Sequence, residues 1–265
     1  MATLTRPDGV KIHWESTGEG PRVVICDNLF SIPDAFQSLV DDLKRDHTVI
    51  QYHPRGTGRS TRTGPYDIET DVGDFGALVE EAGPVVAAVG PANGGSIATL
   101  CAVRRPELIH AVIAPIGPPV SMSQKFTDEQ AMGASRSVNQ VIETQLESDY
   151  RGIVRTMTST GNPQATEEQH RHRVEVQVEY CPQEAAVGRW RAWSRSDHTE
   201  EAQALGGRLW VLLHANMPWF PTELADPLRE LLPDAHIEVV EDGPVSRPDI
   251  TSAIVRRITD DNQRG

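Results

Sequence analysis

The chain has 265 residues, of which 38% are apolar and 24% charged, a composition suited to one soluble globular domain or a domain with a modest insertion. Its formal net charge of −13 argues against a nucleic-acid or anionic-membrane surface, because neither attracts an acidic protein. Three widely spaced cysteines, Cys26, Cys101 and Cys181, form no CxxC pair. A disulfide framework and a zinc knuckle are therefore not signalled, and a cytoplasmic location is expected. Residues 1–20 carry no apolar h-region and no run reaches ~18 apolar residues, so neither an export signal nor a membrane span is expected.

In chain order, residues 4–14 with the PDG turn at 7–9 predict an opening antiparallel hairpin. Compact apolar runs follow at 22–26 (RVVIC), 48–52 (TVIQY), 85–89 (VVAAV), 110–115 (HAVIAP), 209–213 (LWVLL) and 237–240 (IEVV). Continuous rather than alternating apolarity predicts strands buried on both faces of a parallel sheet. Helical spacing separates them at 36–43, 70–82, 96–103 and 248–258. Strand–helix alternation of this kind predicts a doubly wound α/β sheet. From about 121 to 206 the alternation stops. Ala131, Ala134, Val138, Val141, Ile142 and Leu146 are spaced for a helix that Tyr150, Ile153, Val154 and Met157 extend. Residues 159–163 (STGNP) break it, Ala185 to Trp193 suggest another helix, and 174–178 alternates without deciding between strand and helix. The expected organisation is a core at 1–120 and 207–265 with a mostly helical cap at 121–206.

Three patches resemble the α/β-hydrolase superfamily. YHPRGTGRS at 52–60 is similar to the arginine–glycine loop after the fourth strand. VGPANGGSIA at 89–98 resembles the nucleophile elbow, a strand–turn–helix usually written V-G-x-S-x-G-G. DGPVSRP at 242–248 stands where the catalytic histidine is usually carried. The resemblance implies an α/β-hydrolase fold, a mostly parallel doubly wound sheet with a helical cap inserted after strand 6. A Rossmann fold fits worse: it expects G-x-G-x-x-G after the first buried strand, where Asp27-Asn28-Leu29-Phe30 stands.

The same resemblance assigns the triad positions. The nucleophile position falls on Ala92, the acid position on Met217 and the base position on Val245. None of these side chains attacks a carbonyl or carries a proton. Loss of the nucleophile alone costs on the order of 10⁶ in turnover in a serine protease. Ser96 belongs to the following helix and should face packing. The family's His-Gly at the oxyanion loop is replaced by Asp27-Asn28, and an ionised Asp27 there would repel a developing oxyanion.

Asp27 is a candidate general acid or base, against a plain role capping loop N–H groups. Asn28 and Asn93 are candidates to orient a ligand carbonyl or hydroxyl, against roles as turn formers. Phe30, Ala92, Trp219, Met217 and Val245 are expected to line the pocket, with Tyr180, Trp190 and Trp193 roofing it from the cap. His53, His170, His172, His198 and His214 are taken as structural or surface residues. No metal-ligand spacing is present and no cofactor is expected. Three functions remain open. The first is a non-hydrolytic enzyme that cyclises, isomerises or eliminates on an apolar metabolite, as the resemblance implies for members with degenerate triads in specialised biosynthesis. The second is a non-catalytic carrier or partner protein, and the third a hydrolase with displaced residues. The expected partner is a small apolar molecule, with a homodimer left open.

Overall fold

The computed structural model describes residues 1–27, 29, 33–120, 129–161, 164–215, 222–241 and 248–264. Eight strands form one sheet: β1 (Ala2–Thr5), β2 (Lys11–Thr17), β3 (Arg22–Ile25), β4 (Thr48–His53), β5 (Val85–Val89), β6 (Ile109–Ala114), β7 (Leu209–His214) and β8 (His236–Val240). Their order is β1-β2-β4-β3-β5-β6-β7-β8. β1 pairs with β2 and β2 with β4 antiparallel, and all other pairs are parallel. The hairpin register sets Leu4 opposite Ile12, as the alternation of its residues requires.

Helices α1 (Gln37–Leu43) and α10 (Pro248–Arg264) cover one face of the sheet, and α2 (Ile68–Ala82) and α3 (Asn93–Arg104) the other. Strand residues therefore alternate between two cores. Val23, Ile25, Val49 and Val89 pack with Leu39, Val40, Leu43 and Val255, while Val24, Ile50 and Ala88 pack with Phe75, Leu78, Ile97 and Leu100. α2 begins at Asp67, whose side chain accepts the Thr70 N–H at 2.8 Å, and its first turn carries Glu69 and Asp71 against the positive end of the helix dipole. α9 (Ala225–Leu231) connects β7 to β8.

Between β6 and β7 the chain runs through α4 (Glu129–Ser148), α5 (Tyr150–Gly161), α6 (Glu167–Tyr180), α7 (Gln183–Ser194) and α8 (Thr199–Leu205). The long helix expected across residues 131–157 is two helices, because Asp149 interrupts it and its Oδ1 accepts the Gly152 N–H of the next turn. The alternating stretch 174–178 lies inside α6. That helix starts with a capping box, in which Thr166 and Gln169 bond reciprocally. Ile142, Leu146, Ile153, Val154, Val174, Ala185 and Trp190 form a third apolar cluster, which also takes in Leu29, beyond the carboxyl end of β3. Ala202 and Leu205 of α8 belong instead to the core under the sheet.

Arg189 of α7 is 3% exposed and reaches down to α2. Its Nε and Nη2 each donate to Asp71 at 3.0 Å, and Nη2 also donates to the Arg55 carbonyl. Arg55 in turn holds Asp74 through two bonds, at 2.8 and 3.1 Å, and Asp8 at 2.6 Å. Arg6 completes the chain on Asp74 at 2.8 Å. Removing one member of a buried ion pair strands the other charge in a low dielectric and costs about 3–5 kcal/mol. Arg189→Met should therefore lower urea-unfolding stability by about that amount, and Arg189→Met combined with Asp71→Leu should recover most of it. A single-variant loss below about 1 kcal/mol would mean that the pair does not pin α7.

Candidate functional site

The carboxyl ends of the parallel strands are where an open α/β sheet presents its chemistry. β5 ends there in a sharp turn with Ala92 at its apex. Ala92 has φ 49° and ψ −122°, and it is the one non-glycine residue at positive φ among those described. A side chain in this region is strained by about 1–3 kcal/mol and persists only where its surroundings hold it. The hold is visible. The Ala92 N–H donates to the Ile116 carbonyl at 2.8 Å, and α3 starts at the next residue. Gly94 lies so close to the end of β3 that an added Cβ would stand 2.1 Å from the Cys26 carbonyl oxygen. In hydrolases of this architecture such a turn exposes a serine hydroxyl above the sheet. Here it exposes a methyl group.

The site next to it is built from four segments. Asp27, two residues past the end of β3, is 7% exposed, and its Oδ2 accepts the hydroxyl proton of Tyr180 at 3.3 Å. Tyr180 closes α6. Its carbonyl accepts the Gly58 N–H at 2.7 Å, and Gly58, at φ 48°, leaves the space in which its ring lies: a Cβ there would stand 2.6 Å from Cε2. Burial, and next the charge of Asp27, push the Tyr180 phenol well above its ordinary range, so it stays a proton donor. Buried Asn93 turns its side-chain oxygen to the Leu29 N–H at 3.3 Å, and the Leu29 carbonyl accepts from Gln177 Nε2 at 3.0 Å. Leu29 is thus strapped between α3 and α6. Ser96 does face packing: its Oγ accepts the Trp193 indole N–H at 3.3 Å, joining α3 to α7.

Of the residues singled out in the sequence, the structure brings Asp27 against Tyr180 and sets Ala92 and Asn93 side by side at the turn. Trp193 lies over α3 and meets Trp190 edge-on at 5.3 Å. Trp190 sits in the cap's own apolar cluster, its indole donating to the Asn139 carbonyl. Asn28, Phe30, Met217, Trp219 and Val245 lie outside the described residues. Cys26 is fully buried beside the Tyr52 hydroxyl, and burial pushes its thiol far up, which makes it a poor nucleophile. No group of three or more His, Cys, Asp or Glu residues among the described ones is placed to hold a metal ion. No helix among them is long and apolar enough to cross a membrane.

Sequence reasoning passed over Gln177, Asp71 and the role of Arg189. A signal for the last two existed. Asp71 and Asp74 interrupt the stripe of Val72, Phe75 and Leu78 in α2, and Arg189 interrupts the Ala185–Trp193 stripe of α7. Charges of both signs on two apolar faces are what a buried pair between those faces requires.

No family model matches the chain. A stretch of 112 residues, 42% of the chain, is 32% identical to the polyketide synthase ThaQ of Burkholderia thailandensis. A stretch of 115 residues, also 42% of the chain, is 30% identical to the uncharacterized hydrolase YraK of Bacillus subtilis. The chain spans only 5% of the length of the first relative and 42% of the second. Solved structures match over nearly the whole chain. An esterase from Exiguobacterium antarcticum superposes with a TM-score of 0.82 at 17% identity, covering 97% of this chain and 98% of the esterase. A bromoperoxidase from Bacillus anthracis gives 0.79 at 18%, covering 96% and 95%. An epoxide hydrolase from Bacillus megaterium gives 0.78 at 15%, covering 98% and 100%. With the strand order and the turn at Ala92, these likenesses establish that the chain has the α/β-hydrolase fold.

Proposed function

We propose that this protein binds a small, largely apolar organic molecule beneath the helical cap of residues 121–206 and moves a proton on it without hydrolysing an ester. Cyclisation, isomerisation or elimination in natural-product biosynthesis is the reaction class. The observation that carries this reading is Ala92: the strained turn that presents a nucleophile is kept, and the side chain on it has no lone pair to attack with.

Two further features support it. An oxyanion hole in this fold takes one N–H from the residue after the nucleophile and one from the loop after β3. The Leu29 N–H of that loop is taken by Asn93 Oδ1 instead. By the sequence resemblance Asp27 stands in the oxyanion loop, where a carboxylate opposes acyl transfer and suits proton transfer. Asp27 then serves as the base that removes a proton from a bound carbon or hydroxyl, and Tyr180, hydrogen-bonded to it, returns or steadies that proton. Met217 and Val245 at the acid and base positions extend the apolar lining by the sequence resemblance. The partial likeness to a polyketide synthase is compatible with a place in such biosynthesis. The esterase and the epoxide hydrolase among the structural neighbours favour the alternative of displaced catalytic residues.

Ala92→Ser should give no p-nitrophenyl acetate turnover above that of the unaltered protein, because by the sequence resemblance the base position is Val245, which cannot activate the new hydroxyl. Brisk turnover would return the protein to the serine hydrolases. Native mass spectrometry of the purified protein should show a co-purifying apolar molecule. With that molecule as substrate, Asp27→Asn should lower turnover by about 10²–10⁴-fold while affinity stays within a few-fold. Unchanged turnover removes Asp27 from the mechanism, and an unchanged ligand recovered from every variant identifies a carrier.

A further inference from the structure

An open groove of about 360 Å³, its mouth included, runs across the ends of β2, β4 and β3 to Asp27. Its enclosed part holds about one or two water molecules by the usual volume per water. Among the described residues, its lining comes from the sheet and its flanks and not from the cap: His13 and Glu15 belong to β2, Gln51 and His53 to β4, and Phe36 to the 3-10 turn ahead of α1. Strand register explains the groove. His13 lies opposite His53 and Glu15 opposite Gln51, so one face of the antiparallel pair carries a block of four polar side chains. Further down the same face of β4, Val49 is covered by α1, whereas Gln51 and His53 stay half-buried.

The chemistry of the block suits uncharged water. His53 Nδ1 accepts the Arg59 backbone N–H at 2.8 Å, which leaves Nε2 as the ring's donor. Burial, with His13 and Arg59 adding to it, holds the His53 imidazole down to about 4, so it is neutral at ordinary pH. The His53 ring meets the Tyr180 ring edge-on at 5.2 Å and the His13 ring at 5.1 Å. Glu15 and Asp27 supply acceptors, and His53 Nε2 and Gln51 supply donors.

We propose that this groove is a water site that connects the Asp27–Tyr180 pair to bulk solvent by a route that does not pass beneath the cap. A water bonded to Asp27 exchanges one proton with it, and the matching proton enters or leaves through the mouth at His13 and Gln51, so the balance needs no other reactant. Its use in turnover rests on the proton-transfer role proposed for Asp27. The route itself is testable with water as the probe, whether or not that role holds.

Hydroxyl proton exchange of tyrosines labelled at the ring carbon bearing oxygen, read by the deuterium isotope shift in NMR, tests it. Tyr150 is the internal control: it is buried to the same degree, but its hydroxyl donates to the Cys181 carbonyl, whereas that of Tyr180 donates to Asp27, which lines the groove. Tyr180 should exchange at least about ten-fold faster than Tyr150. Filling the groove by Gln51→Phe, or by His13→Phe if the first variant does not fold, should slow Tyr180 by a similar factor and leave Tyr150 unchanged. Equal slow rates in the unaltered protein would overturn the route. So would a Tyr180 rate that neither variant changes, because exchange would then pass beneath the cap. Loss of activity in Asp27→Asn bears on the reaction and not on these rates.

Discussion

Arg189 carries a full charge into a place where water does not follow. Desolvating a guanidinium costs several kcal/mol, and that cost is offset only by close, well-aligned acceptors. Asp71 supplies two and the Arg55 carbonyl a third. Because a planar fork meets a planar carboxylate in few orientations, the pair fixes the rotation of α7 as well as its distance from α2. Trp193, one turn further along α7, then falls over Ser96, and α6 ends with Tyr180 over Asp27. A cap held by apolar packing alone has no such register, since apolar contacts are non-directional.

The turn at Ala92 and the strap across Leu29 belong to one arrangement. A strained apex needs its neighbours fixed, and α3 is fixed on the cap side through Ser96 and on the loop side through Asn93. Ala92 stands at the apex, and the Asn93 side chain next to it takes the Leu29 N–H. Among the described residues, Asp27 with the Tyr180 phenol lies on the far side of that loop. The groove at β2 and β4 reaches Asp27 from the sheet, whereas Tyr180 reaches it from α6.

Much of this was legible in the chain. Buried strands announce themselves as unbroken runs such as VVAAV and LWVLL, and the glycines after β5 mark a turn that tolerates no side chain at Gly94. The sequence places Ala92 at the turn and Asp27 after β3, and says nothing that pairs Asp27 with Tyr180. The helices between β6 and β7 were read less well. Residues 174–178 carry both periods at once, and only the capping box at Thr166 and Gln169 shows that a helix has already begun. The break at Asp149 is local as well, an Asp side chain bonding a backbone N–H three residues on, but apolar spacing continues through it and hides it.

By itself, then, the sequence determined the alternation of strands and helices, the turn without a nucleophile and the presence of a carboxylate after β3, because each is written in the order of a few neighbouring residues. Tertiary structure alone decided the rest. Arg189 and Asp71 are 118 positions apart and Asp27 and Tyr180 are 153. Which charge meets which, and which phenol reaches which carboxylate, depends on how α6 and α7 are set down on the sheet. Two-residue and four-residue periods state which face of an element is apolar. They do not state which partner a polar residue on that face will find.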